Sequence, residues 1–407
     1  MHTVIVDADV SFPPTSGKRL RTLHLMLRLA KRHQLTYIAR CDTRQPQALQ
    51  ARAFFGDYGI ETILVDHPLP PKSGLMFCGR LAVNLLSKLP YSVASHQSMP
   101  MRQTIADYAA RRAVDLWQFE WLPYMDTLTH PACARRLVIA HNVDTLIWQR
   151  YYQTARGTLQ RLFLKRQWRA MECFERSQFP RANRVVAVSA DDARLIRERF
   201  GMPRVDVVDN GVDRGFFESV NGQREVNSIL FLGALDWRPN LDAVELLLAK
   251  IFPQVIAQEP AARLRIVGRH PPAGLAQRVA SFTGVELHAD VPDVRPFLGR
   301  SGVMVVPLRI GGGSRLKILE ALACGLPVVS TTVGAEGLCL EAGRDFVRAD
   351  TAEGLAEALV HAIRMPAVVR DMAQEGRKLV LQRYDWDVLA NKLEQSWEKC
   401  VASGLAG

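Results

Sequence analysis

Short β-rich runs alternate with helical stretches along almost the whole chain, and few folds accept that pattern. Strand, helix and strand in succession build parallel sheets covered by helices. In the first half the runs are TVIVDA (Thr3–Ala8), LTYIA (Leu35–Ala39), TILVD (Thr62–Asp66), DLWQFE (Asp115–Glu120), RLVIAH (Arg136–His141) and RVVAVS (Arg184–Ser189). Leu20, Leu23, Leu27 and Ala30 recur at helical spacing and predict a helix over Gly17–Arg32. A second series follows: SILFLG (Ser228–Gly233), RLRIVG (Arg263–Gly268), VELHA (Val285–Ala289), VMVVPL (Val303–Leu308) and PVVST (Pro327–Thr331). Between the series, glycine- and charge-rich sequence around Asn210 to Asn227 reads as a linker. From Asp385 to Ala402 the tail reads as a helix with Trp386, Leu389, Leu393 and Trp397 on one face. The expectation is an α/β chain of two doubly wound domains, residues 1–212 and 213–384, with helix 385–402 added at the end.

At 407 residues the chain is long enough for two such domains. Apolar residues make up 48% and charged residues 23%, the balance of a soluble globular protein. No apolar run approaches the roughly 18 to 20 residues of a membrane span. The opening MHTVIVDADVSFPP lacks the basic and apolar regions of a secretory signal, and the seven cysteines are scattered without a CxxC pair. A cytoplasmic protein with reduced thiols is expected. The net charge of +11 favours anionic partners. Nucleic acid is the weaker option, because helix-turn-helix, zinc-finger and RRM signatures are missing. Phosphorylated substrates and an acidic membrane face remain. GTLQRLFLKRQWRAMECFER (Gly157–Arg176) carries Arg161, Lys165, Arg166 and Arg169 on a partly amphipathic helix. It reads either as a contact with an anionic membrane or as a solvated helix over the first sheet.

The densest chemical signal is PLRIGGGSRLKILEALACGLPVVST (Pro307–Thr331). Open parallel sheets bind ligands at the carboxyl ends of their strands. Here Gly311, Gly312 and Gly313 allow close approach of backbone, and a helix starting near Ser314 offers N–H groups and a favourable dipole to an anion. Arg315 and Lys317 add positive charge, so a diphosphate fits. Glu320, in the second helical turn, can accept hydrogen bonds from ribose hydroxyls. The bland alternative is a flexible turn before a surface helix with a Lys–Glu pair. The segment is neither a Walker A loop nor a GxGxxG fingerprint.

GGGSRLKILEALACGLPVVSTTVGAEGL (Gly311–Leu338) resembles the nucleotide-sugar-binding segment of group 1 (family 4) retaining glycosyltransferases of the GT-B fold. The similarity takes in FPPTSGKRLRTLHLMLRLAKRH (Phe12–His33), AHNVDTLIWQR (Ala140–Arg150), VVAVSADDARLI (Val185–Ile196), VVDNGVD (Val207–Asp213), FLGALDWRPNLDAVELL and VPDVRPFLGRSGVMVVPL. The resemblance implies two Rossmann-like domains facing each other across a cleft, with helix 385–402 packing back on the first. It implies that Glu320 contacts ribose, that Gly17 lets the first-domain loop approach the diphosphate, and that His141 sits beside the transferred sugar. Arg315 and Lys317 become charge partners of the leaving phosphates, with Gly311 to Ser314 as donor-binding backbone. Glu120 and Lys18 are placed on the acceptor side; for Glu120 a solvated strand-end carboxylate is the alternative.

Two departures accompany the resemblance. Gly312 stands where many members carry the first of two glutamates with seven residues between them, the second matching Glu320, and Ala234 and Pro239–Asn240 stand where an arginine and a lysine are common. Arg315 and Lys317 are candidates to replace that charge. What the resemblance implies is retaining transfer of a sugar from a nucleoside diphosphate to the hydroxyl of a glycan or lipid-linked acceptor, without a cofactor or a metal. The sequence leaves two other readings open, a GT-B-fold sugar-nucleotide epimerase and an inactive sugar-nucleotide-binding scaffold.

Overall fold

The first strand, β1 (His2–Asp7), is buried at five successive residues. Such unbroken burial belongs to a parallel strand with helices on both faces. The computed structural model describes the chain apart from residues 72, 130–133, 156, 219, 221, 311–315 and 403–407. It forms two compact units, Met1–Asp209 with Leu389–Gly407, and Asn210–Val388.

In the first unit, β1 is joined by β2 (Gln34–Cys41), β3 (Glu61–Asp66), β4 (Leu116–Phe119), β5 (Arg136–Ala140), β6 (Arg184–Ala187) and β7 (Val205–Val207). All pair in parallel in the order β3-β2-β1-β4-β5-β6-β7. The order reverses at β1, where β2 lies on one side and β4 on the other, and open sheets leave a crevice beyond the strand ends at such a point. Ile38, Val4, Val6, Phe119, Val138 and Val185 belong to one buried cluster that carries the core across the sheet.

The helix after β1 runs Gly17–Leu29, with the Ser16 hydroxyl accepting from the Arg19 N–H at its start. Its buried face holds Arg21, Thr22, Leu23, Leu25, Met26 and Leu29. Leu20, Leu27 and Ala30, expected on that face, are only half-buried. The face is turned because two polar residues, Arg21 and Thr22, are buried against polar partners, the Asp209 carbonyl and the Glu120 carboxylate.

The second unit contains β8 (Glu225–Leu232), β9 (Arg263–Gly268), β10 (Val285–Ala289), β11 (Ser301–Val306), β12 (Val328–Ser330) and β13 (Val347–Arg348). Its parallel sheet has the order β10-β9-β8-β11-β12-β13, with the reversal at β8. The segment read as a linker contains the helix Arg214–Glu218, and its last three residues already belong to β8. That strand opens with half-buried Glu225 and exposed Val226 and Asn227, so apolar patterning marks it only from Ser228 onward. The closing helix is Trp386–Ala402, and Trp386, Leu389, Leu393 and Trp397 are all fully buried.

Candidate active site

Asp7, Glu120 and His141 stand at the carboxyl ends of β1, β4 and β5, the central strands of the first sheet. The Glu120 N–H donates to Val6 O at 2.9 Å, extending the ladder one residue beyond β4 and setting Glu120 beside Asp7. Glu120 is only 2% exposed. Its Oε2 accepts from Thr22 Oγ1 at 2.7 Å and from His141 Nε2 at 2.9 Å, and its Oε1 accepts from Gln118 Nε2 at 2.6 Å. The Gln118 amide is oriented in turn, because Trp397 Nε1 donates to its Oε1 at 2.7 Å. A donor-only indole on one side and an acceptor-only carboxylate on the other leave a single way to place that amide. Glu120 is thus a buried hub, not a solvated strand-end carboxylate.

Next to it, Lys18 Nζ donates to Asp7 Oδ1 and lies 3.5 Å from Asp9 Oδ1, while Arg19 pairs with Asp9 at 2.9 Å. Ser11 Oγ and Tyr37 Oη also donate to Asp7, at 3.2 and 3.1 Å. Buried Arg21 donates to Asp209 O. Burial raises Asp7 to about 6, against the pull of Lys18. Burial also acts to raise Glu120, but His141, Lys18 and Thr22 outweigh it and bring Glu120 down to about 2. Burial lowers His141 against the opposing effect of Glu120. An ionised carboxylate only accepts, so the His141 proton is fixed on Nε2, and in the neutral ring Nδ1 keeps a lone pair. With Glu120 ionised and His141 neutral, this pair can hold hydroxyl groups without taking up or releasing charge near neutral pH.

In the second unit, Lys317 and Glu320 lie on the helix Leu316–Ala323, which follows β11. Lys317 Nζ donates to Asn240 Oδ1 at 2.9 Å and stands 5.1 Å from the centre of the Phe231 ring, near the end of β8. Asn240 Nδ2 donates to Ala234 O at 2.8 Å. The ammonium therefore reaches the neighbourhood of Ala234 and Asn240, where the resemblance found the customary basic side chains missing. Gly233 is required for this close approach: a Cβ there would lie 2.8 Å from the Asn240 amide and 2.9 Å from Lys317 Nζ. Half-buried Glu320 is raised to about 7 by burial, with Lys317 opposing.

Gly311, Gly312, Gly313, Ser314 and Arg315, five of the expected site residues, lie outside the described residues. Gly17 is the first residue of its helix, directly after the Ser16 cap. The first unit brings together His141, Glu120 and Lys18, and the second brings together Lys317 and Glu320. Gln118, Thr22, Asp7 and Trp397 were not singled out for the site. Gln118 carried one signal, since it sits two residues before Glu120 and so on the same face of its strand. Among the described residues, no group of three or more His, Cys, Asp and Glu side chains is arranged to hold a metal ion.

Comparison with known proteins adds to this geometry. Residues 16–216 match the family described as Glycosyltransferase Family 4, and residues 226–365 match Glycosyl transferases group 1. The chain is 29% identical over 233 residues to phosphatidyl-myo-inositol mannosyltransferase of Mycobacterium tuberculosis, covering 54% of this chain and 60% of that one. It is 26% identical over 226 residues to the GDP-mannose-dependent monoacylated alpha-(1-6)-phosphatidylinositol monomannoside mannosyltransferase of Corynebacterium glutamicum, covering 51% and 59%. The chain thus spans about three fifths of the length of these curated relatives. Sucrose-phosphate synthase from Thermosynechococcus elongatus superposes with a TM-score of 0.72 at 18% identity, covering 99% of this chain and 100% of that one. HepE of Anabaena, in complex with UDP and glucose, gives 0.65 at 12% identity, covering 98% and 100%. The fold, two parallel-sheet Rossmann-like domains, is the GT-B fold.

Proposed function

This chain belongs to the group 1, family 4 glycosyltransferases, and on that premise we propose that it transfers a sugar from a nucleoside-diphosphate sugar with retention of anomeric configuration. The proposed acceptor is a hydroxyl of a glycan or lipid-linked saccharide in cell-surface polysaccharide synthesis, and the proposed location is the cytoplasm. The observation that carries the donor assignment is the Lys317 ammonium, held by Asn240 at the end of β8 one helical turn before the Glu320 carboxylate. A cation and a carboxylate at that spacing suit a phosphate and a ribose of one nucleotide. The names of the relatives agree with this class of substrate, since one is GDP-mannose-dependent and HepE was solved with UDP and glucose.

In this reading the bond between the anomeric carbon and the phosphate oxygen breaks, and its electron pair leaves with the diphosphate. The acceptor oxygen bonds to the same carbon from the same face, and its proton passes to the departing phosphate oxygen. Lys317, joined by Arg315 and the N–H groups of residues 311–314, stabilises the growing negative charge. Glu320 fixes the ribose. His141, held by Glu120, offers Nδ1 to a hydroxyl of the transferred sugar, and the Lys18–Asp7–Asp9 group together with Glu120 shapes the acceptor side. No metal is assigned a part.

Incubation with UDP-, GDP- and TDP-sugars, read as release of nucleoside diphosphate, tests the reading. Release with one donor class, accelerated by acceptor and unchanged by EDTA, supports it. Binding without release would point to a scaffold, and a donor recovered with altered sugar stereochemistry to an epimerase.

A further inference from the structure

Two stretches of the first unit lack acidic residues altogether: none occurs between Asp66 and Asp107, and none between Asp144 and Glu172. Far apart in sequence, they are joined in the fold. The helix Leu75–Asn84 and the turn after it meet the helix Thr158–Gln178. Arg166 donates to Leu85 O and, at 2.7 Å, to Ser87 O; Gln167 Nε2 donates to Asn84 Oδ1 at 2.9 Å, and Tyr91 N donates to Gln167 Oε1 at 2.7 Å. Polar contacts thus clamp the inner sides of these elements together, while their outer sides carry large apolar residues in water. Leu75 and Leu86 are 91% exposed, Leu159 84% and Met76 79%, the highest values of any large hydrophobic residue described. On the first helix Leu75, Met76 and Val83 share one stripe by helical spacing, continued by Leu86 just beyond its end. On the second, Leu159 and Leu162 lead directly into Lys165, Arg166 and Arg169 at intervals of three and four.

We propose that these two segments form one docking face for an anionic phospholipid surface. Exposed leucines and a methionine beside Arg80, Lys88, Arg161, Lys165 and Arg169 make an apolar wedge flanked by cations, with no carboxylate in either segment to repel lipid phosphates. The chemistry fits a headgroup–acyl boundary, where apolar side chains insert and basic ones stay with the phosphates. An acidic protein surface would also suit acid-free segments, but the nearly fully exposed leucines and methionine fit an acyl boundary better than a polar protein surface. Among the described residues no helix is long and apolar enough to cross a membrane, so the contact is peripheral. It lies outside the sites described above and rests on the proposed function only in that a lipid-linked acceptor would be met at such a surface.

The test is co-sedimentation of the full chain with phosphatidylcholine vesicles, with and without phosphatidylglycerol. Binding is expected only with the anionic lipid, and raising the salt should weaken it. A Leu75→Glu, Leu86→Glu, Leu159→Glu variant is expected to lose about tenfold or more in binding. Arg161→Gln with Lys165→Gln should lower binding about 25-fold, at roughly fivefold for each of the two cations. Circular dichroism and nucleoside-diphosphate affinity should stay unchanged in both variants. Equal sedimentation of wild type and leucine variant would overturn the proposal. So would a wild type that ignores anionic vesicles but forms a dimer that the leucine variant breaks, because the face would then belong to a second copy. Donor turnover in detergent-free buffer is measured alongside: failure there sinks the transferase reading and leaves vesicle binding standing, and the reverse outcome sinks only the docking face.

Discussion

His141 Nε2 and Glu120 Oε2 lie 2.9 Å apart, although the two residues end different strands and Glu120 is nearly inaccessible to water. Glu120 also receives Thr22 and Gln118, so the imidazole orientation is set by a carboxylate that has no freedom to turn. If His141 meets the transferred sugar, the precision of that meeting depends on Glu120.

Glu120→Gln is therefore expected to cost about 3 kcal/mol of stability near neutral pH, because Thr22 and His141 lose an ionised acceptor inside the protein. The sign with pH follows from the depressed carboxylate. Its stabilisation is fully present above the ordinary value of 4.5 and fades as pH falls toward about 2. Denaturation at several pH values should show wild type and variant converging in acid. In kinetics, kcat should fall more than KM rises, since the variant loosens His141 without touching the nucleotide contacts.

Trp397→Phe keeps the buried ring and removes only the N–H that orients Gln118. A loss of about 1 kcal/mol is expected, with a measurable drop in kcat if the alignment passes through Gln118 to Glu120. The same stability loss with unchanged kcat would restrict Trp397 to packing.

Gly233→Ala places a methyl group against Asn240 and the Lys317 ammonium. Lys317→Met deletes the charge outright. Both are expected to lower kcat, the second by roughly a hundredfold if Lys317 stabilises the departing diphosphate. Steady-state kinetics with saturating donor distinguishes this from weaker binding, which would appear in KM alone.

Glu320 gives the clearest pH signature. Its carboxyl is held near 7 in the free protein, and ribose hydroxyls bind the ionised form better. Nucleoside-diphosphate affinity should decline as pH drops below about 7, by up to about tenfold per unit beyond the change in Glu320→Gln. Subtracting the variant removes the protonation of the diphosphate itself, and isothermal titration calorimetry at several pH values makes the comparison.

Both sheets were legible in the sequence because their central strands are continuous apolar runs closed by turns. The edge strands β7 (Val205–Val207) and β13 (Val347–Arg348) were missed, being too short to show any periodicity. Polar residues inside the core were equally hidden. Spacing put Leu20 and Leu27 on the buried face of the first helix, whereas Arg21 and Thr22 occupy it, held by partners about one to two hundred residues away. His141 and Glu120 stood out separately as strand-end residues, but only the order β1-β4-β5 makes them neighbours. Likewise, Lys317 was legible as a cation near the glycine turn, while its seat on Asn240, seventy-seven positions earlier, needed the fold.

Proton NMR of the anomeric signals during turnover tests the central claim most directly. The donor that releases nucleoside diphosphate in the panel is incubated with an acceptor, and the first-formed product is followed before any mutarotation. The expected result is a glycoside with the donor's own anomeric configuration, formed at the rate of diphosphate release. An inverted product, or a sugar epimerised while still attached to its nucleotide, would contradict the account.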